Sequence, residues 1–201
     1  MEKIPSWVTS DMLTALGFTG SAITCASLAS AHYVSRYYLL FSILGLFINW
    51  FGDSLDGRLA FYRNKPRKWY GFTLDLIVDW LGTVLIGLGF VIYMDSFWKL
   101  AGYGFVAFYG WSMIIAIDRY KITGKYSIDS GLFGPTEVRI FIGTLIILET
   151  FLPGSLKVTS LCACVALFVF NIIDTKKLLR IADLRDHQER LEKEAADKNI
   201  N

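Results

Sequence analysis

The chain is short of charge over long distances. No Asp, Glu, Lys or Arg occurs in residues 12–35, 37–52, 80–94, 100–117 or 158–173. Repeated runs of this length exclude a water-soluble domain and indicate membrane spans. Histidine is nearly absent: His32 and His187 are too few and too far apart for a histidine metal site, and no Ser-His-Asp arrangement is visible. Cys25, Cys162 and Cys164 are odd in number and lie in apolar stretches, which excludes a disulfide framework and any zinc spacing. The net charge of +2 is the remainder of 20 basic and 18 acidic residues, so nothing points to nucleic acid as a partner. What is abundant is apolar: 54% hydrophobic and 15% aromatic residues in 201, with a mean hydropathy of +0.44.

The pattern predicts an all-α polytopic membrane protein. Six transmembrane helices are expected at 12–34, 37–62, 71–94, 97–119, 136–153 and 156–175, followed by a charged C-terminal juxtamembrane helix. Domain organisation follows: a membrane domain over 1–175 and a charged cytoplasmic tail over 176–201. Breaks are expected at Asn64 to Lys68, between Ser130 and Pro135, and at Pro153-Gly154. The N-terminus, the 63–70 loop, the 119–139 connection and the tail hold 1, 4, 4 and 7 Lys or Arg, whereas the three opposite loops hold only Arg36, Lys99 and Lys157. The positive-inside rule then places both termini in the cytoplasm of a cell or inner membrane. Ala29-Ser30-Ala31 mimics a signal-peptidase site, but cleavage would leave five spans and oppose this charge bias, so an uncleaved first helix is expected.

Acidic residues stand where lipid would penalise them. On the second helix Asn49, Asp53, Asp56 and Ala60 fall within about 60° of one another at ~100° per residue, flanked by Gly45 and Gly52, which leave space beside the stripe. On the third, Gly71, Asp75, Asp79 and Gly82 align in the same way. A short loop makes these helices antiparallel neighbours, so the four carboxylates face each other ~10–15 Å above the loop, in the cytoplasmic leaflet. Each such Asp costs ~2.5–3.5 kcal/mol at a helix centre, and together they repel. Arg58 is the nearby helical cation, and one cation does not balance four anions. Two divalent ions do, and all-oxygen ligation points to magnesium or manganese.

Asp53-Ser-Leu-Asp56-Gly57-Arg58-Leu59-Ala60-Phe61, nine residues, then Gly71-Phe-Thr-Leu-Asp75-Leu-Ile-Val-Asp79 resembles the signature of the CDP-alcohol phosphatidyltransferase family, D-x2-D-G-x2-A-R followed by G-x3-D-x3-D. Ser10-Asp11-Met12-Leu13-Thr14 is similar to the family's P-[ND]-x-x-T entry to the first helix. The resemblance implies transfer of a phosphoryl-alcohol group from a CDP-linked donor, commonly CDP-diacylglycerol, to an acceptor hydroxyl, with release of CMP. It implies two Mg²⁺ (or Mn²⁺) ions, the first on Asp53, Asp56 and Asp75, the second on Asp53, Asp75 and Asp79. Asp79 would also be the general base. Gly57 and Ala60 would let the nucleotide approach the helix closely, Gly71 would be a further substrate-binding position, and Asp11, Met12, Leu13 and Thr14 would touch the donor's CDP end. The active site would face the cytoplasm, and a homodimer is expected.

Phe61 stands where the signature has an Arg that serves the donor's phosphates. Arg58, about 60° away, reaches the same region; Arg63 serves only if the helix ends before it. Glu137 and Arg139, opening the fifth helix, either hold the acceptor or, for Glu137, supply an N-terminal helix charge. Asp118 and Arg119 read as an interfacial pair, and Glu149 as a snorkelling or packing residue. The rival readings are a catalytically weakened relative, suggested by Phe61, and a cation transporter using intramembrane aspartates. A transporter predicts charges near the midplane and two related halves, and residues 101–201 do not repeat the Asp pattern.

Overall fold

The computed structural model describes residues 4–124 and 134–200. The described chain is helical, with no strand: α1 (Ser10–Tyr33), α2 (Leu39–Tyr62), α3 (Lys68–Tyr93), α4 (Lys99–Thr123), α5 (Pro135–Phe151) and α6 (Ser155–Ile200). Single 3₁₀ turns, Arg36–Tyr38 and Ser96–Trp98, lead into α2 and α4. Among the described residues five helices are long and apolar enough to cross a membrane: α1, α2 with its leading turn, α3, α4 and the apolar part of α6. Helix α5, with 17 residues, is only about 25 Å long.

The helix ends follow local chemistry. Thr9 caps α1 by accepting from the Met12 amide at 3.2 Å, while its own amide meets the Met12 sulfur. Helix α2 ends in a Schellman arrangement. Asn64 takes the left-handed conformation (φ 53°), its amide bonds the Phe61 carbonyl, and the Lys65 amide bonds that of Ala60, each at 3.0 Å. Gly124, at φ 71°, closes α4 in the same left-handed region. Helix α5 opens with Pro135 at its first position, and Glu137 reaches back to the Gly134 amide at 2.9 Å.

Helix α1 lies against both α2 and α3, and small residues set its distance from α2. A side chain at Gly20 would collide with the backbone of Asn49 and Gly45, and one at Gly52 with the backbone of Leu13 and Gly17. This corrects the sequence reading of Gly45 and Gly52. The space they leave beside the acidic stripe is filled by α1. Gly82 likewise faces Ser21 of α1. The continuous apolar core, including Leu28, Leu39, Leu46, Phe90, Met94, Ile146 and Leu156, lies toward the end of the bundle away from the α2–α3 loop.

Two charges anchor the remaining helices. Glu149 is buried and accepts from the Tyr93 hydroxyl (3.0 Å) and from Gly154, Ser155 and Leu156 at the start of α6 (3.0, 3.2 and 2.7 Å). Its carboxylate therefore caps α6 and ties α5 to α3, a role beyond snorkelling or packing. Replacing Glu149 by Ala orphans these donors and is expected to cost about 2–4 kcal/mol, read as a lowered Tm in detergent. An unchanged Tm would show the cap to be dispensable. Arg119, expected beside Asp118, reaches Asp174 of α6 at 3.7 Å. Helix α6 itself runs unbroken through residue 175 for 46 residues, about 69 Å.

Candidate functional site

The α2–α3 hairpin brings together three of the four acidic residues expected to face one another. One carboxylate oxygen each from Asp53, Asp75 and Asp79 lies within 4.8 Å of the other two, and all three residues are half-buried. The cluster sits about 10–17 Å along α3 from its start at Lys68. Three carboxylate oxygens at this separation form a set of hard donors that suits magnesium or manganese.

Asp56 has a different setting. It is buried beneath the N-terminal turn of α1, where its carboxylate accepts from the Thr14 hydroxyl at 2.6 Å and from the Gly57 amide. Its backbone carbonyl accepts from the Ser10 hydroxyl at 2.8 Å. The α1 entry segment is thus docked onto the acidic stripe through its hydroxyls.

Beside the carboxylates opens a cavity of about 210 Å³ between α1, α2 and α3. Asp11, Thr14, Asp56, Gly57, Ala60, Phe61, Gly71 and Asp75 all line it. Gly57 and Gly71 open onto unfilled space, with nothing within 4 Å of where a Cβ would stand. Asp75 belongs both to this wall and to the carboxylate triad. No family model matches the chain, and neither a curated protein nor a solved structure is matched by it.

Several residues marked in the sequence lie elsewhere. Met12 is exposed and engaged in the α1 cap, and Leu13 is buried against α2. Neither lines the cavity. Arg58 is exposed and also off its wall. Arg63 follows the end of α2, as its candidacy required, but its guanidinium is bound to the carbonyls of Val8 and Pro5. The cavity's positive charge comes instead from Arg67 and Lys68, with Arg67 also paired to Asp11 and stacked 4.0 Å over the Tyr70 ring. In the sequence these two count only as loop charge; their place three and four residues before Gly71 was the available signal.

The counter-charge for the triad also comes from an unexpected place. Arg139 of α5 lies 2.6 Å from Asp53 and 3.7 Å from Asp79, and its Nε donates to the Asn49 side-chain oxygen at 2.7 Å. Arg58 is therefore not the nearby cation. Glu137 is exposed and occupied as a helix cap, favouring the structural option for that residue.

A second, larger cavity of about 350 Å³ lies between α3, α4, α5 and α6. Its walls are mostly apolar, including Phe90, Phe105, Phe141 and Leu167, with Arg119 and Asp174 at one end.

Proposed function

We propose that this chain is a membrane-embedded CDP-alcohol phosphatidyltransferase that moves a phosphoryl-alcohol group from a CDP-linked lipid donor to an acceptor hydroxyl. The observation that carries this reading is Asp75, shared by a three-carboxylate cluster and a cavity rimmed by Arg67 and Lys68. Phosphate-bearing substrate and divalent ions would thereby meet at one place. Asp53, Asp75 and Asp79 would hold the ions, with Asp56 completing the set. When bound, such ions polarise the phosphoryl group and offset the charge on the departing CMP.

The chain's own residues divide the remaining work. Arg67 and Lys68 attract the donor's phosphates, and Gly57, Ala60 and Gly71 leave room for its nucleotide. Thr14 and Ser10 hold α1 over Asp56 so that this room keeps its shape. The acceptor oxygen attacks the phosphorus, the pyrophosphate bond to CMP breaks, and Asp79 takes the acceptor's proton. The apolar cavity between α3, α4, α5 and α6 suits hydrocarbon chains of a lipid substrate. We place α5 as a sixth span, short enough to need local bilayer thinning, with both termini and the site cytoplasmic. A homodimer remains part of this reading through the family resemblance alone.

The test is CMP release by purified protein in lipid or detergent. CDP-diacylglycerol, CDP-choline, CDP-ethanolamine and CDP-glycerol are offered against a panel of alcohol acceptors with Mg²⁺, Mn²⁺ or EDTA. Metal-dependent CMP release with one donor–acceptor pair is expected. Silence from folded protein that still binds Mn²⁺ would favour a weakened relative, and cation flux without CMP release a transporter.

Phe61 provides a second check. It is 71% exposed and lines the cavity that Arg67 and Lys68 rim. Phe61→Arg adds a cation there, so the donor KM is expected to stay level or fall by up to about tenfold, the low end of one charge-assisted hydrogen bond because the position is exposed to solvent. A higher donor KM would show that Phe61 itself contributes to binding.

A further inference from the structure

Arg139 is held in a way that an ordinary surface cation is not. Asn49, buried between α1 and α2, donates through Nδ2 to the Gly17 carbonyl (3.0 Å) and to the Ser21 hydroxyl (3.1 Å). Those two bonds fix the direction of its amide and leave Oδ1 free to accept from Arg139 Nε at 2.7 Å. The guanidinium is therefore pivoted at its base, while its two terminal nitrogens reach Asp53 (2.6 Å) and Asp79 (3.7 Å). Among the described residues these are the two members of the triad that it contacts.

Charge makes this arrangement conditional. Fully ionised, as metal ligands must be, Asp53, Asp75 and Asp79 carry three negative charges, which Arg139 and one divalent ion neutralise together. With Asp56 counted there are four, which two divalent ions neutralise by themselves. Two ions and Arg139 in place at once would leave an excess positive charge in a half-buried site, where screening by water is weak.

We propose that Arg139 is a tethered cation standing in the place of one of the two divalent ions, so that loading of that ion and withdrawal of Arg139 are a single exchange. This rests on the two-metal reading above and adds its regulation. The first ion binds beside Arg139. The second binds only as the guanidinium leaves Asp53 and Asp79, turning about its bond to Asn49. Arg139 is thus a positioning residue: it keeps the carboxylates from repelling one another before loading and sets the affinity of the second ion.

The experiment uses the full chain in detergent and Mn²⁺ as probe. Free Mn²⁺ is counted by electron paramagnetic resonance for the wild type, R139Q and R139K. Two classes of site are expected in the wild type. R139Q should tighten the weaker class by about tenfold or more, since one unit charge a few ångströms away moves an ionic equilibrium by roughly one to three decades. R139K keeps the charge without the planar fork and should tighten it less. In parallel, phenylglyoxal labelling of residue 139 in the unaltered chain is followed by peptide mass spectrometry and should quicken severalfold when Mn²⁺ saturates. This arm stands whether or not R139Q folds. Mn²⁺ binding indifferent to residue 139, or weakened by R139Q, would overturn the exchange, as would labelling that slows on adding Mn²⁺. No Mn²⁺ binding by any variant would overturn the two-metal reading itself.

Discussion

Asp79→Asn is expected to leave a folded protein whose CMP release falls by about 10²–10⁴-fold, the range that a positioned general base contributes. Asn keeps the volume and one oxygen of the side chain, so packing around α3 is preserved. It cannot take up a proton, and it removes one charge from a triad whose oxygens lie within 4.8 Å of each other. The loss should therefore fall mainly on kcat, with donor KM little changed, because Asp79 is not among the residues lining the cavity with Arg67 and Lys68. A variant retaining wild-type turnover would remove Asp79 from the chemistry. A loss confined to donor KM would move it to the binding wall.

Gly20→Val is expected to abolish the fold. A Cβ there would meet the backbone of Asn49 and Gly45 closer than real atoms approach, and backbone has no rotamer through which to yield. The helices must separate, and with them go the Asn49 bonds to Gly17 and Ser21. Overpacking of this kind ordinarily costs about 1–3 kcal/mol, and against rigid backbone more is expected. Size-exclusion profiles in detergent should show aggregated or proteolysed Gly20→Val. Gly57→Ala is the matched control, because a methyl there meets nothing within 4 Å. It should keep the wild-type profile and lose activity only to the extent that the donor needs that space. A monodisperse Gly20→Val with unaltered Tm would show that α1 and α2 can part without penalty.

How far the site was legible in the sequence depends on the range of the interaction. Asp53, Asp75 and Asp79 repeat at helical spacing on two helices joined by a short loop, so local geometry alone brings them face to face, whereas Asp56, on the same spacing, is taken up by Thr14 of α1. The α2 terminus was legible for the same reason: Asn64, followed by Lys65 and Pro66, is a local stop signal, and the chain turns there. Arg139 was not legible as the triad's counter-ion, because no periodicity links the opening of α5 to α2. Its pairing depends on how those helices pack. Gly45 and Gly52 misled for a related reason. A glycine beside an acidic stripe announces close approach, but whether a ligand or another helix makes that approach is a tertiary fact, and here it is α1. Arg67 and Lys68 were visible as charges yet not as cavity residues, since the start of α3 at Lys68 rather than at 71 is what turns them toward the site.

The pairing of Arg139 with Asp53 also sets an order of events during synthesis. The two carboxylate-bearing helices leave the ribosome early, and the guanidinium follows sixty residues after Asp79. At elongation rates of about 5–20 residues per second that delay is roughly 3–12 s. For that interval the carboxylates of the nascent α2–α3 hairpin lack the guanidinium that pairs with them in the finished fold. A ribosome-stalled chain ending at residue 124 should therefore remain accessible to carboxyl-modifying reagents at Asp53, and one extended past α5 should be protected.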